Sequence, residues 1–243
     1  MAGVWRAPIQ VAWCGRVPYR TAWRWQRELA EARFDGGLDS DVLLLMEHPP
    51  VYTMGRGGRA EHVPGGPAAL EAAGAEYVEV DRGGSVTYHG PGQLVGYPIV
   101  QLAGIEMDAI AYLRALEEAL IDRCGLLGVE AFRDPPYTGV WHATGKLAAI
   151  GVRLNRRGIT YHGFALNGTV DLAAFERIVP CGIEGRTAAS LDRCGATGPC
   201  DPEALAPATA AFVAHALGLR PVDATEAALG LDRATPMAPA AAG

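Results

Sequence analysis

The sequence predicts a single mixed α/β domain of α+β character. Three observations carry this: short continuous apolar runs bounded by proline or glycine, amphipathic segments of helical length between them, and a strand-turn-strand pattern over residues 146–167. A chain of 243 residues, 49% hydrophobic, can bury one sizeable core. Residues 1–220 are expected to form that domain. Residues 221–243 end in ATPMAPAAAG, too poor in large apolar side chains to fold alone, and are expected to be a flexible tail.

Residues 18–33 (PYRTAWRWQRELAEAR) have a helical pattern, with Tyr19, Trp23 and Ala30 near one face and Arg20, Arg24 and Arg27 on another. Those arginines form either a solvated face supported by Arg24/Glu28 and Arg27/Glu31 pairs or a stripe that docks an acidic partner. The run DVLLLME (residues 41–47) stops at His48-Pro49-Pro50, as a buried strand does where proline removes the next donor. Residues 77–80 and 93–100 are two further strands. In residues 107–127 the 3 to 4 spacing of Ile110, Leu113, Leu116, Leu120 and Ile121 predicts a helix, with Asp108 as its N-cap. Residues 146–167 (KLAAIGVRLNRRGITYHGFALN) read as a hairpin turning at residues 155–158, which places Val152 opposite Tyr161 and Lys146 at the open end beside Asn167. Residues 202–217 form a last helix.

Composition excludes several function classes. A net charge of −6 without a basic run argues against nucleic acid, which is held through clustered positive charge. No apolar stretch approaches the ~18 residues of a membrane span, and no export pattern is visible, so a cytoplasmic protein is expected. Cys14, Cys124, Cys181, Cys194 and Cys200 are an odd set that fits reduced thiols, and Cys194 with Cys200 lacks the second pair that a zinc site needs. No metal is expected.

Against twenty arginines the chain has one lysine, Lys146. Arginine keeps its proton in a protein, whereas an amine can pass one on, which makes Lys146 a candidate proton-transfer group. Cys181, between Pro180 and Gly182, sits in a shaped loop that suits a nucleophile. One ammonium nearby would supply the ~2 kcal/mol that makes a free thiol half ionised at neutral pH, so a thiolate/ammonium ground state is expected. The densest stretch is residues 82–99, RGGSVTYHGPGQLVGYPI. Arg82 brings charge and donors, Gly83 and Gly84 permit close approach, and Thr87, Tyr88 and His89 bring polar tips. The glycine spacing does not fit a dinucleotide loop, and a strand follows where that loop needs a helix.

Taken in order, EHPPVYTMG, RGGSVTYHGPGQLVGYP, GKLAAIGVR, TYHGFALN and VPCGI resemble the lipoyl(octanoyl) transferase family over about residues 10–217. The resemblance implies the catalytic fold of biotin and lipoate protein ligases, and transfer of an octanoyl group from acyl carrier protein to a lysine of lipoyl domains, those of 2-oxoacid dehydrogenase E2 subunits and the glycine cleavage H protein. It implies a Cys181/Lys146 dyad acting without ATP or metal, with the acyl group carried by the carrier protein. Acyl-binding positions fall on Arg82, Gly83, Gly84, Ser85, Val86, Thr87, Tyr88 and His89, on Ala149, Ile150 and Gly151, and on His162, Gly163 and Phe164. His89 is expected to steady an oxyanion, and the chain to act as a monomer. Three rivals remain: an ATP-dependent lipoate or biotin ligase, a Cys181/His89 thioesterase, and an acyl-binding module without turnover.

Overall fold

Residues 41–47 are apolar at successive positions because both faces of their strand are covered. Leu43 and Leu45 point into a core shared with two helices, while Val42, Leu44 and Met46 point into a second core on the other side. The computed structural model describes residues 5–135, 137–180 and 185–235. In chain order the elements are β1 (Pro8–Arg16), α1 (Tyr19–Asp35), β2 (Asp41–Glu47), β3 (Val51–Met54), α2 (Gly66–Ala72), β4 (Glu76–Glu79), β5 (Val86–His89) and β6 (Gln93–Ile99). There follow α3 (Ala109–Leu126), β7 (Phe132–Asp134), β8 (Tyr137–His142), β9 (Gly145–Leu154), β10 (Thr160–Asn167), α4 (Pro202–Ala216) and β11 (Arg220–Asp223).

Among the described residues eight strands form one sheet in the order β11-β1-β2-β6-β10-β9-β8-β7, and β4-β3-β5 form a second. The large sheet is mixed: β1 is parallel to β11 and β2, while β2, β6, β10 and β9 alternate. Helices α3 and α4 cover one face, and α1 covers the other through Trp25 and Leu29. The predicted N-cap appears as geometry, with Asp108 Oδ1 accepting from Ala111 N at 2.7 Å.

Several expectations are corrected. The hairpin is shifted by one residue: Val152 pairs with His162, and Tyr161 with Arg153. Asn155 accounts for the slip, because its Oδ1 accepts from Arg157 N and Ile159 N, and Asn155 N donates to Ile159 O, which moves Ile159 into the loop. Lys146 still lies beside Asn167, whose Nδ2 donates to Lys146 O at 3.3 Å. On α3, Ile110 is 70% exposed, and the buried face runs through Tyr112, Leu116, Ala119 and Leu120. The boundary expected at residue 220 falls inside β11. Beyond it Leu229 is buried and Asp232 O accepts from Trp25 Nε1 at 2.9 Å, so the segment up to residue 235 packs onto the body. Of the two expected pairs along the arginine stripe, Arg24–Glu28 forms, with Arg24 also donating to the Asp232 carbonyl, whereas Glu31 takes Arg157 instead of Arg27; Arg20 pairs with Glu76.

His48 ties α1's entry to the sheet. Its Nδ1 donates to Val17 O at 2.6 Å and its Nε2 accepts from Tyr97 Oη at 2.7 Å, which fixes a neutral tautomer. Burial pulls its pKa down to about 4. An unfolded histidine titrates near 6.5, so between about 6.5 and 4 the unfolded chain binds a proton that the folded chain refuses, and stability falls on acidification. The contribution is about 3 kcal/mol. Urea unfolding at pH 7, 5.5 and 4.5 should show this loss, with a shallower pH slope in His48→Gln. An equal slope in that variant would assign the loss to other groups.

Candidate active site

The residues from Arg82 to Val86 form a turn between the two sheets. Gly83 N donates to Val152 O at 3.0 Å, and Gly84 takes φ 80°, a left-handed conformation that favours glycine. Arg82 is buried and turns its guanidinium inward, donating to Thr53 O at 2.6 Å, Thr53 Oγ1 at 2.8 Å and Gly83 O at 3.0 Å. These bonds hold the turn to β3.

Above the turn lies a mostly apolar cavity with about 480 Å³ of empty space, its mouth included. All but one of the expected acyl-binding residues line it: Arg82, Gly83, Gly84, Ser85, Val86, Thr87 and His89 on one wall, Ala149, Ile150, Gly151, His162, Gly163 and Phe164 on another. The exception is Tyr88. Its side chain packs away from the cavity against Tyr52, with ring centroids 5.0 Å apart, and Phe175 at 5.5 Å, because successive strand residues face opposite sides. Tyr19, Val95, Tyr97 and Ala165 complete the wall. Val95 and Tyr97 lie within the 82–99 stretch without having been singled out there, and Tyr19 comes from α1, distant in the chain.

His89 has a fixed tautomer, and its cause can be followed bond by bond. Asn167 Nδ2 donates to Ala189 O at 2.8 Å and to Lys146 O, so Asn167 Oδ1 is the oxygen that accepts from Gln93 Nε2 at 2.8 Å. Gln93 Oε1 is therefore an acceptor, and His89 Nδ1–H donates to it at 2.8 Å. Burial holds the His89 pKa well below the usual value, aided by neighbouring His48, so the ring is neutral and Nε2 carries a lone pair. Nε2 faces the Thr53 hydroxyl at 3.5 Å. The expected oxyanion role is thus corrected: Nδ1–H is engaged and Nε2 has no proton to donate.

A second cavity, with about 400 Å³ of empty space when its mouth is included, adjoins the first at shared Thr87 and Ala149. Its walls include Lys146, Gln93, Trp141, Asn167, Pro180 and Arg186. Lys146 Nζ donates to Thr138 O at 3.1 Å and lies 4.7 Å from the centroid of Trp141. Three sets of contacts make that position. Gly139 leaves room for the stem, since a Cβ there would sit 3.1 Å from Lys146 Cε and 2.6 Å from Ala148 O. The wholly buried Glu117 accepts from Gly139 N at 3.0 Å, fixing the strand whose carbonyl holds the amine. Thr187 O accepts from Lys146 N at 2.9 Å, and Ala189 N donates to Lys146 O at 2.9 Å. Sequence reasoning missed all three. Glu117 and Gly139 are ordinary residues until α3 meets β8, and residues 186–190 have no motif to single them out.

Cys181 lies outside the described residues. The chain on either side of it, at Pro180 and at Arg186, Thr187 and Ala188, lines the cavity that holds Lys146. The thiols of Cys14 and Cys124 are pushed up to about 12 by burial, as inert core cysteines are. Among the described residues no helix is long and apolar enough to cross a membrane, and no group of three potential metal ligands converges.

Comparison with known proteins adds the family. The lipoyl protein ligase A/B catalytic domain model matches residues 18–212. A curated octanoyltransferase of Mycobacterium marinum is 52% identical over 194 residues, covering 76% of this chain and 78% of that protein. The bi-partite lipoate protein ligase of Thermoplasma acidophilum superposes with a TM-score of 0.67 at 15% identity, over 94% of this chain and 99% of that one. The biotin protein ligase of Aquifex aeolicus, solved with biotin and ATP, gives 0.51 at 12% identity over 86% and 70%. At such identities these two structures establish the shared fold.

Because Lys146 is the only lysine, reductive ¹³C-methylation gives one side-chain dimethylamine signal, distinct from that of the N-terminus. The Trp141 ring should shift that signal upfield of a free dimethyl-lysine. Trp141→Leu should return it, and Gly139→Ala should move it by displacing the stem. A wild-type signal at the free position would contradict the placement.

Proposed function

Since this chain belongs to the octanoyltransferases, acyltransferases of the lipoyl protein ligase A/B catalytic family, we propose that it moves an octanoyl group from acyl carrier protein to a lysine of a lipoyl domain, through a thioester on Cys181. The observation that carries the reading is the pair of adjoining cavities. One is an apolar groove, and the other holds the single lysine between the two chain segments that flank Cys181. In the first half-reaction the Cys181 thiolate attacks the thioester carbonyl. The tetrahedral intermediate collapses, the carrier's sulfur leaves, and Lys146 gives it a proton. Lys146, now neutral, takes a proton from the incoming substrate amine as that nitrogen attacks the acyl-enzyme. An amide forms, the Cys181 thiolate is released and the ammonium is restored. With His89 unable to donate, the positive charge of Lys146 is the group that steadies the oxyanion.

Neither ATP nor a metal enters this sequence of steps. The acceptors follow from the family reading, the lipoyl domains of 2-oxoacid dehydrogenase E2 subunits and the glycine cleavage H protein. The apolar groove gives each methylene about 0.8 kcal/mol, so specificity should fall about fourfold per carbon removed from the chain.

Intact-mass analysis after mixing with octanoyl-carrier should show one octanoyl adduct, formed without ATP and absent in Cys181→Ala. An adduct that persists in that variant would overturn the covalent route. Lys146→Arg keeps a cation but cannot shuttle the proton, so kcat should fall by about 10²- to 10⁴-fold while thiol alkylation partly survives.

A further inference from the structure

Two of the hydrogen bonds around Lys146 meet on one peptide unit. Thr138 O, which accepts from Lys146 Nζ at 3.1 Å, and Gly139 N, which donates to Glu117 Oε1 at 3.0 Å, are the two ends of the same amide. A peptide group is planar, so a partner that fixes its N–H also fixes the direction of its C=O. It is polarised along its length as well: a carboxylate accepting the N–H strengthens the carbonyl as an acceptor, as in any chain of hydrogen bonds. Glu117 thus acts on the amine across one amide, from the α3 side of β8.

The two carboxylate oxygens have separate partners. Oε2 takes both arginines, Arg114 Nη1 at 2.6 Å and Arg133 Nε at 3.0 Å, whereas Oε1 takes Gly139 N. The carboxylate is wholly buried, while the side chains of Arg114 and Arg133 are 54% and 35% exposed. Oε2 therefore faces the ion pairs that tie α3 to β7, and Oε1 faces the strand that carries the cavity. The backbone is shaped to receive this bond. Gly139 takes φ 128°, which favours glycine. On β9, Ala148 pairs with Val140 and Lys146 with Trp141, so Leu147 is an extra residue, and Leu147 and Ala148 both enter the same core. Such a bulge re-aims the side chain beside it. Here Lys146 reaches from its place opposite Trp141 to the Thr138 carbonyl, earlier on β8.

We propose that Glu117 is a positioning residue for the amine of Lys146: through the Thr138–Gly139 peptide it sets where that amine stands, and with it the rate of the proton transfers in acyl transfer. The inference rests on the acyl-transfer reading and deepens it. A carboxylate that only braced α3 would act through its arginines, and losing it would cost no more than losing them. A carboxylate that positions the amine acts through Oε1, so its loss reaches the chemical step and spares substrate binding.

Three variants of the full chain separate these roles. Arg114→Met and Arg133→Met each remove an ion pair and leave Oε1 on Gly139 N, so kcat for octanoyl transfer should stay within about threefold of wild type. Glu117→Met removes the bond to Gly139, and kcat should fall about 10- to 100-fold with KM within about threefold. The Lys146 dimethylamine signal should move in Glu117→Met and stay in place in the arginine variants. A kcat in Glu117→Met that falls no further than in the arginine variants would overturn the inference, and so would an unmoved signal. If Glu117→Met does not fold, Lys146→Met decides. It takes the cation from Thr138 O, and the Gly139 amide proton should move upfield as the peptide loses polarisation; an unchanged resonance overturns the inference. Absence of octanoyl transfer by the wild-type protein would refute the acyl-transfer reading itself, while the two NMR measurements, which need no substrate, would still judge the placement of the amine.

Discussion

The buried amide of Gln93 is the constraint on which both cavities depend. It accepts from His89, and it donates to Asn167 Oδ1 and to Tyr88 O at 3.2 Å. One planar group thus joins β5 of the small sheet to β6 and β10 of the large one, and through Asn167 it reaches the backbone of Lys146 and Ala189. A made hydrogen bond contributes about 1 kcal/mol net, whereas a buried group left unmade costs about 1–3 kcal/mol. With its partners fixed, the amide has one usable orientation. That orientation sets the His89 tautomer, and the Thr53 contact carries the order on to Arg82 and the Gly83–Gly84 turn.

Much of this was legible in the residues, for identifiable reasons. The apolar run of β2 declared a strand covered on both faces, and Lys146 stood out because arginine cannot do what an amine does. Residues 82–89 carried enough glycine and polar tips to mark a ligand loop, although β5 inside it is a strand, so alternation sent Tyr88 to the wrong side for a ligand. What was hidden depends on tertiary meeting points. A one-residue loop slip driven by the Asn155 side chain decided that His162, rather than Tyr161, pairs with Val152. Glu117 and Gly139 gained their meaning from β8, which the periodicity did not reveal. The Gln93–Asn167 bond joins positions 74 residues apart.

The fold itself does not choose between acyl-adenylate and thioester chemistry, since a biotin ligase solved with ATP shares it. The Arg82 guanidinium is tied to Thr53 on β3 and to Gly83 O. Across the shared wall, Lys146 lies between a carbonyl and an indole face, in a cavity that Arg186 also lines.

That setting explains why a lysine belongs at position 146. A carbonyl and a ring face both attract a compact cation. The Gly139 notch is sized for a methylene stem, with only 3.1 Å between an added Cβ and Lys146 Cε. A planar guanidinium on that stem would have to turn its fork into the notch or leave the Trp141 face. The site therefore selects the amine twice, by shape and by chemistry. The shape term comes from α3, because the Glu117 carboxylate accepts from Gly139 N and holds that strand in place from behind the cavity's described lining. A substitution on α3 thus reaches the reacting centre through one backbone hydrogen bond, without touching either cavity.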